Sequence, residues 1–166
     1  RYCQRALLDA AEALQQATAL TSEEVSVQPS RPGEVLAGGS PAGVRAATIL
    51  CDGWTTDQGL LFAPGEPLTL SLDLNAPHRL QWLRMHAGEG SAAPEAVVEG
   101  VDREGTWHRL ATLPAAVRAG GPPPPVAIAD EGEYQRLRIV YPELEQRLWL
   151  TEIEIAGQDA ALTRAA

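Results

Sequence analysis

Four side chains have the chemistry of a sugar site. Trp54 is followed by the polar run Thr55-Thr56-Asp57-Gln58, which places its indole on a loop where a flat ring can stack under the apolar face of a pyranose. Phe62 offers a second ring of the same use. Arg84 and His86 stand one residue apart at the end of an alternating segment, so they share one face of a strand and can hydrogen-bond hydroxyls. Trp54, Phe62, Arg84 and His86 are the candidate ligand-binding residues. Plainer roles stay open beside this one: Trp54 tucked over the mouth of a core, and Arg84 and His86 on a solvated edge. Trp82, Trp107 and Trp149 lie inside strand patterns and read as packing groups.

Catalytic chemistry finds little to work with. His78, His86 and His108 are scattered, with no H-x-H or H-x-x-x-H pair to grip a metal. Cys3 and Cys51 are too far apart for a redox pair and too few for a zinc cluster; a disulfide between them and two separate buried thiols are both open. There is no nucleophile elbow, phosphate-cradling glycine loop or dinucleotide fingerprint. Paired acids occur at Glu23-Glu24, at Glu143 and Glu145, and at Glu152 and Glu154. The last pair would stand about 7 Å apart on one strand face, but any i, i+2 pair does so, and these acids are expected to face solvent. No catalytic residue is assigned, and the chain is expected not to be an enzyme.

The 22 acidic residues outnumber the 13 arginines, there is no lysine, and the formal charge is -9. Such a balance argues against nucleic acid and anionic lipid as partners. No stretch reaches the roughly 18 consecutive apolar residues of a membrane helix, so the chain is not expected to insert into a bilayer. At 166 residues and 45% hydrophobic composition, one domain with its own core is expected. A chain that opens on Arg1 rather than Met reads as part of a longer protein.

The elements that must position these residues are mostly strands. Leu7, Leu8, Ala11 and Leu14 form one stripe of an amphipathic helix within residues 1–22, either packed on the domain or linking it to a neighbour. Residues 23–160 form the domain proper, and 161–166 a tail. Val25 to Val27 is a short strand. After a Pro- and Gly-rich loop, period-two alternation marks Leu68 to Leu74, Leu80 to Met85, Ala96 to Val101, Trp107 to Leu113, Tyr134 to Tyr141 and Leu148 to Ile155. Asn75-Ala76-Pro77, Gly88 to Ser91, Asp102 to Gly105 and Pro142-Glu143 are turn sequences between them. Gly120 to Pro125 reads as a stiff surface loop. Many short strands without intervening helices predict an all-β antiparallel sandwich with an N-terminal α-helix.

Five segments in order resemble the discoidin family, the factor V/VIII type C domains of the galactose-binding-like jelly rolls. They are Ala47 to Thr56 with its Asp52-Gly53 loop, Leu70 to Pro77, Ala96 to Trp107, Tyr134 to Ile139 and Leu150 to Gly157. The resemblance covers about residues 44–157 and implies a jelly-roll sandwich. It also implies a structural calcium ion held by Asp52 and Glu152, with Asp57 or Thr56 adding oxygens. Trp54 is a departure, standing where a second acidic or amide residue commonly follows the Asp-Gly pair. The function implied is a non-catalytic module that binds carbohydrate or cell-envelope polysaccharide within a larger, extracytoplasmic protein that could be membrane-anchored. The alternative is a protein-interaction or sensory domain docked on other domains of its parent, and a more remote one is an accessory domain of a carbohydrate-active enzyme.

Overall fold

Leu68, Leu70, Leu72 and Leu74 alternate with Thr69, Ser71 and Asp73, and a strand must send these two sets to opposite faces. In the structure, a computed structural model that describes residues 25–31, 33–37, 58–88, 91–117 and 123–159, all four leucines are buried. The strands are β1 (Ser26–Pro29), β2 (Glu34–Ala37), β3 (Gln58–Phe62), β4 (Leu68–Ala87), β5 (Ala92–Ala93), β6 (Ala96–Val101), β7 (Trp107–Leu113), β8 (Ala116–Val117), β9 (Val126–Ala127), β10 (Glu133–Tyr141) and β11 (Leu148–Asp159). Every pairing among them is antiparallel. The helix expected in residues 1–22, the tail from 161, and both cysteines lie outside the described residues. Among the described residues there is no helix long and apolar enough to cross a membrane.

One strand belongs to both layers of the sandwich. The first half of β4 pairs with β1 on one side and β10 on the other, and β6 and β7 extend that layer beyond β10. The second half of β4 pairs with β11 and with β9, and β3 and β2 extend that layer beyond β11. The passage between the halves falls at Asn75-Ala76-Pro77, read above as a turn between two strands. In the structure the segment is a wide irregularity inside one strand: Leu74, Asn75, Ala76 and Pro77 face Gln135 alone, between the pairs Asp73↔Arg136 and His78↔Tyr134. Pro77 has no donor to miss there, and the Asp73 carboxylate accepts the Asn75 amide at 2.9 Å. Asn75 takes a left-handed φ of 64°, a conformation asparagine tolerates and β-branched residues do not.

The core fills the space between the layers, with Leu60, Phe62, Leu83, Ile153 and Ile155 from the second meeting Leu70, Leu72, Val98, Leu137 and Ile139 from the first. Two further bulges set which residues face outward in the second layer. Gln81 is an extra residue between the pairs Leu80↔Gly157 and Trp82↔Ala156, and Thr151 between Leu150↔Ala87 and Glu152↔His86. Each shifts the alternation by one, so Trp82, Arg84 and His86 leave the core face that Leu80 occupies.

Because only the backbone of Asn75 is used by its neighbours, Asn75→Gly should leave stability nearly unchanged, whereas Asn75→Val should cost about 1–2 kcal/mol through the left-handed φ. Urea denaturation of the two variants checks this; equal stability would show that the bend does not depend on that residue.

Candidate functional site

The bulges at Gln81 and Thr151 bring four polar side chains onto the outer face of the second layer. Cross-strand pairing sets His86 opposite Glu152 and Arg84 opposite Glu154. Arg84 Nε donates to Glu154 Oε2 at 2.7 Å, and its guanidinium lies 5.3 Å from the centroid of the Trp82 ring. His86 Nε2 is 3.3 Å from the same Glu154 oxygen, out of line for a hydrogen bond. Arg84 and His86 share a face, as their spacing predicts. The face is not the solvated edge considered above: His86 is 6% exposed, Glu152 is 4% exposed rather than facing solvent, and Arg84 and Glu154 are half-buried, whereas Glu143 and Glu145 do face solvent. Glu154 is taken up by Arg84. Such a row is a packed polar layer, in which removing one partner would leave the other charge uncompensated.

The other predicted positions scatter. Phe62 is fully buried in the core, so its ring has no face for a ligand; inward alternation along β3 puts it there with Leu60. Trp54, Asp52 and Asp57 lie outside the described residues. Glu152, the remaining predicted calcium ligand, is a buried carboxylate, which suits a cation ligand or an ion-pair partner. Among the described residues no three metal-ligating side chains come together.

Two surface features were missed. The first is a groove of about 540 Å³ at the end of the sandwich where β10 stops and β11 starts, between Pro94, Ala115, Pro142, Glu143, Glu145 and Gln146. Its floor loop is fixed by Leu144, buried and bonded to Gly65 in both directions at 2.9 and 2.7 Å. Gly65 has a φ of 126°, which explains the glycine. Ahead of β5, whose Ala92 and Ala93 line the other side of the groove, the chain is pinned where the Gly88 amide donates to the Trp149 carbonyl and Ser91 Oγ accepts the Trp149 amide. Trp149 lies flat on Gly88: a Cβ there would be 1.9 Å from the indole. Trp149 thus packs, as expected, and shapes the loop. The clue in the sequence was the Pro142-Glu143 turn between two clear strands.

The second is Trp107, expected to fill the core. It is 40% exposed on the outer face of the first layer, with the Arg138 guanidinium 4.0 Å from its ring centroid. The reason is register. The Asp102-to-Thr106 hairpin pairs Trp107 with outward Val101, and the extra residue Leu110 then turns inward. That hairpin is tied by Asp102, whose carboxylate accepts the Thr106 amide at 2.8 Å and meets His108 Nε2 at 2.6 Å. The His108 hydrogen bond first, and the Thr106 amide next, hold Asp102 below the usual 3.8. Nearby, Tyr134 donates to Asp130 at 2.9 Å, and burial together with that carboxylate pushes the phenol up to about 12.

No protein-family model matches the sequence, and no curated protein matches it either. Solved structures do match in fold. The architecture is that of the galactose-binding-like β-sandwiches, the fold of the discoidin domains. The C-terminal domain of a chitobiase from Bacteroides fragilis superposes with a TM-score of 0.64 at 13% identity, over 86% of this chain and 99% of that one. Chitosan-binding module 1 of a chitosanase/glucanase from Paenibacillus sp. IK-5 gives 0.60 at 16% identity, over 81% and 96%. The family 32 carbohydrate-binding module of C. perfringens NanJ, solved with galactose, gives 0.59 at 12%, over 83% and 97%.

A carboxylate with a lowered pKa contributes stability that is present above its unfolded value of 3.8 and is lost as pH falls through its lower folded value. The difference in melting temperature between the parent and Asp102→Asn should therefore be full near neutral pH and shrink below about pH 4. Parallel melting curves across that range would mean the hairpin tie contributes nothing.

Proposed function

We propose that this chain is a non-catalytic carbohydrate-binding module that holds a glycan in the groove between the loop after β10 and the segment of β5, Pro94 and Ala115. What carries the reading is the shared fold with solved modules that bind sugar, among them one holding galactose and one named for chitosan, over more than four-fifths of the chain. The groove suits such a ligand. Pro94, Pro142 and Ala115 present apolar surface, while Glu143, Glu145 and Gln146 can hydrogen-bond hydroxyls. The loop after β10 is held in place by the Gly65 and Leu144 bonds before any ligand arrives, which lowers the ordering cost of binding. Trp54 is assigned the stacking role proposed from its sequence setting. Asp52, Asp57 and Glu152 are assigned the calcium ion that the discoidin resemblance implies. Arg84 and His86 then act behind the site, stiffening the face of β4 that leads to the Gly88 loop. The module would serve a larger extracytoplasmic protein acting on polysaccharide.

A shallow site of this kind should bind with a Kd of about millimolar to micromolar. Calorimetry with galactose, N-acetylgalactosamine and chitosan oligosaccharides, in calcium and again in chelator, tests the reading. Binding of one of these should weaken about tenfold in Glu143→Ala and in Trp54→Ala, with the fold intact by circular dichroism. Chelator sensitivity would support the metal. Silence toward all three sugars would overturn the proposal.

A further inference from the structure

The outer face of the first layer is differently charged from the rest of the chain. Pairing places Trp107, Val101, Arg136 and Asp73 in one row across β7, β6, β10 and β4, and Arg109, Glu99, Arg138 and Ser71 in the next. Trp107 is the large apolar side chain that the described residues leave exposed. Three of the 13 arginines stand here, in a chain whose formal charge is -9. These two rows hold two carboxylates, Glu99 and Asp73, and both are engaged. Glu99 accepts from Arg138 Nε at 2.5 Å, and Asp73 accepts the Asn75 amide. The arginines keep free capacity. Arg136 is exposed and makes no hydrogen bond or ion pair among the described residues. Arg138 spends only its Nε, leaving its terminal nitrogens, and Arg109 spends one nitrogen on Thr112 Oγ1 at 2.6 Å.

From this arrangement we infer that the face is a second binding surface, for an acidic polysaccharide carrying uronate residues. It takes from the proposed function only the class of ligand. Guanidinium forks pair with carboxylates in two parallel hydrogen bonds, and the indole, stacked against Arg138, holds one of those forks at the surface. Arg138 is already oriented by the ring at 4.0 Å and by Glu99, so little rotamer freedom remains to be lost when a carboxylate binds. Arg136 and Arg138 are an i, i+2 pair about 7 Å apart on β10, and Arg109 lies two strands away, so charge is spread over the face rather than focused at a point. The sign separates ligands. Three arginines against two carboxylates suit a polymer with one charge on a sugar residue, whereas a dense polyphosphate would meet those carboxylates and an acidic protein behind them.

Affinity electrophoresis of the full chain in gels containing polygalacturonate, dextran or no polymer tests the inference, with Arg109→Glu/Arg136→Glu as the variant. Both side chains are exposed, and melting temperature verifies that the variant is folded. Polygalacturonate should retard the parent chain, dextran should not, added salt should weaken the retardation, and the double variant should bind at least about tenfold more weakly. The double variant should keep whatever binding of neutral sugars the parent chain shows. No retardation by polygalacturonate, retardation that the double variant keeps, or equally tight binding of duplex DNA would each overturn it. So would a parent dimer that the double variant dissolves without any polygalacturonate binding. Neutral sugars report on the groove and polygalacturonate on the sheet face, so the two proposals can fail separately.

Discussion

Strand β4 is the constraint on which the rest of the structure rests. A chain made of strands buries its core by setting two layers of sheet face to face, and here one strand is hydrogen-bonded into both. Its first half is held between β1 and β10, its second between β11 and β9, and the join at Asn75-Ala76-Pro77 is short and locally satisfied. The layers are therefore tied covalently and by hydrogen bonds as well as by the leucines, isoleucines and Phe62 between them. Loss of the bend would disturb both layers at once.

From that constraint the surfaces follow. Three register shifts, at Gln81 in β4, Thr151 in β11 and Leu110 in β7, decide which side chains point away from the core. The first two create a covered polar layer in which Arg84 engages Glu154 beside Trp82. The third leaves Trp107 outside, beside arginines that have hydrogen-bonding capacity to spare. At the sandwich end, the bonded pair of Gly65 and Leu144 fixes the loop after β10, and the groove lies between that loop and the segment of β5, Pro94 and Ala115. Rigid strands present each of these surfaces, as a module with weak ligands requires.

Most of the strand pattern was legible because a half-buried strand must alternate, and Leu68 to Leu74, Ala96 to Val101 and Tyr134 to Tyr141 do so plainly. The discoidin resemblance pointed to the same sandwich. What alternation cannot show is register. Asn75-Ala76-Pro77 has the composition of a turn, yet cross-strand partners carry the strand through it. Trp107 has the size and strand setting of a core residue, yet the hairpin register turns it outward. Phe62 looked like a ring free for a sugar because β3 is short and its sequence, Gln58-Gly59-Leu60-Leu61-Phe62, gives little alternation; its pairing with Leu148 buries it. Arg84 and His86 were correctly placed on one face, but burial of that face depends on packing that no local pattern encodes. Trp54, Asp52 and Asp57 rest on sequence reasoning alone.

The central claim is that the groove between the loop after β10 and the segment of β5, Pro94 and Ala115 is where sugar binds. Amide NMR during titration with galactose, N-acetylgalactosamine and chitosan oligosaccharides tests it most directly. The account expects one of these ligands to move the signals of Ala93, Ala115, Glu143, Glu145 and Gln146 while the strands of both layers stay still. Signals that move only elsewhere, or that no ligand moves, would contradict it.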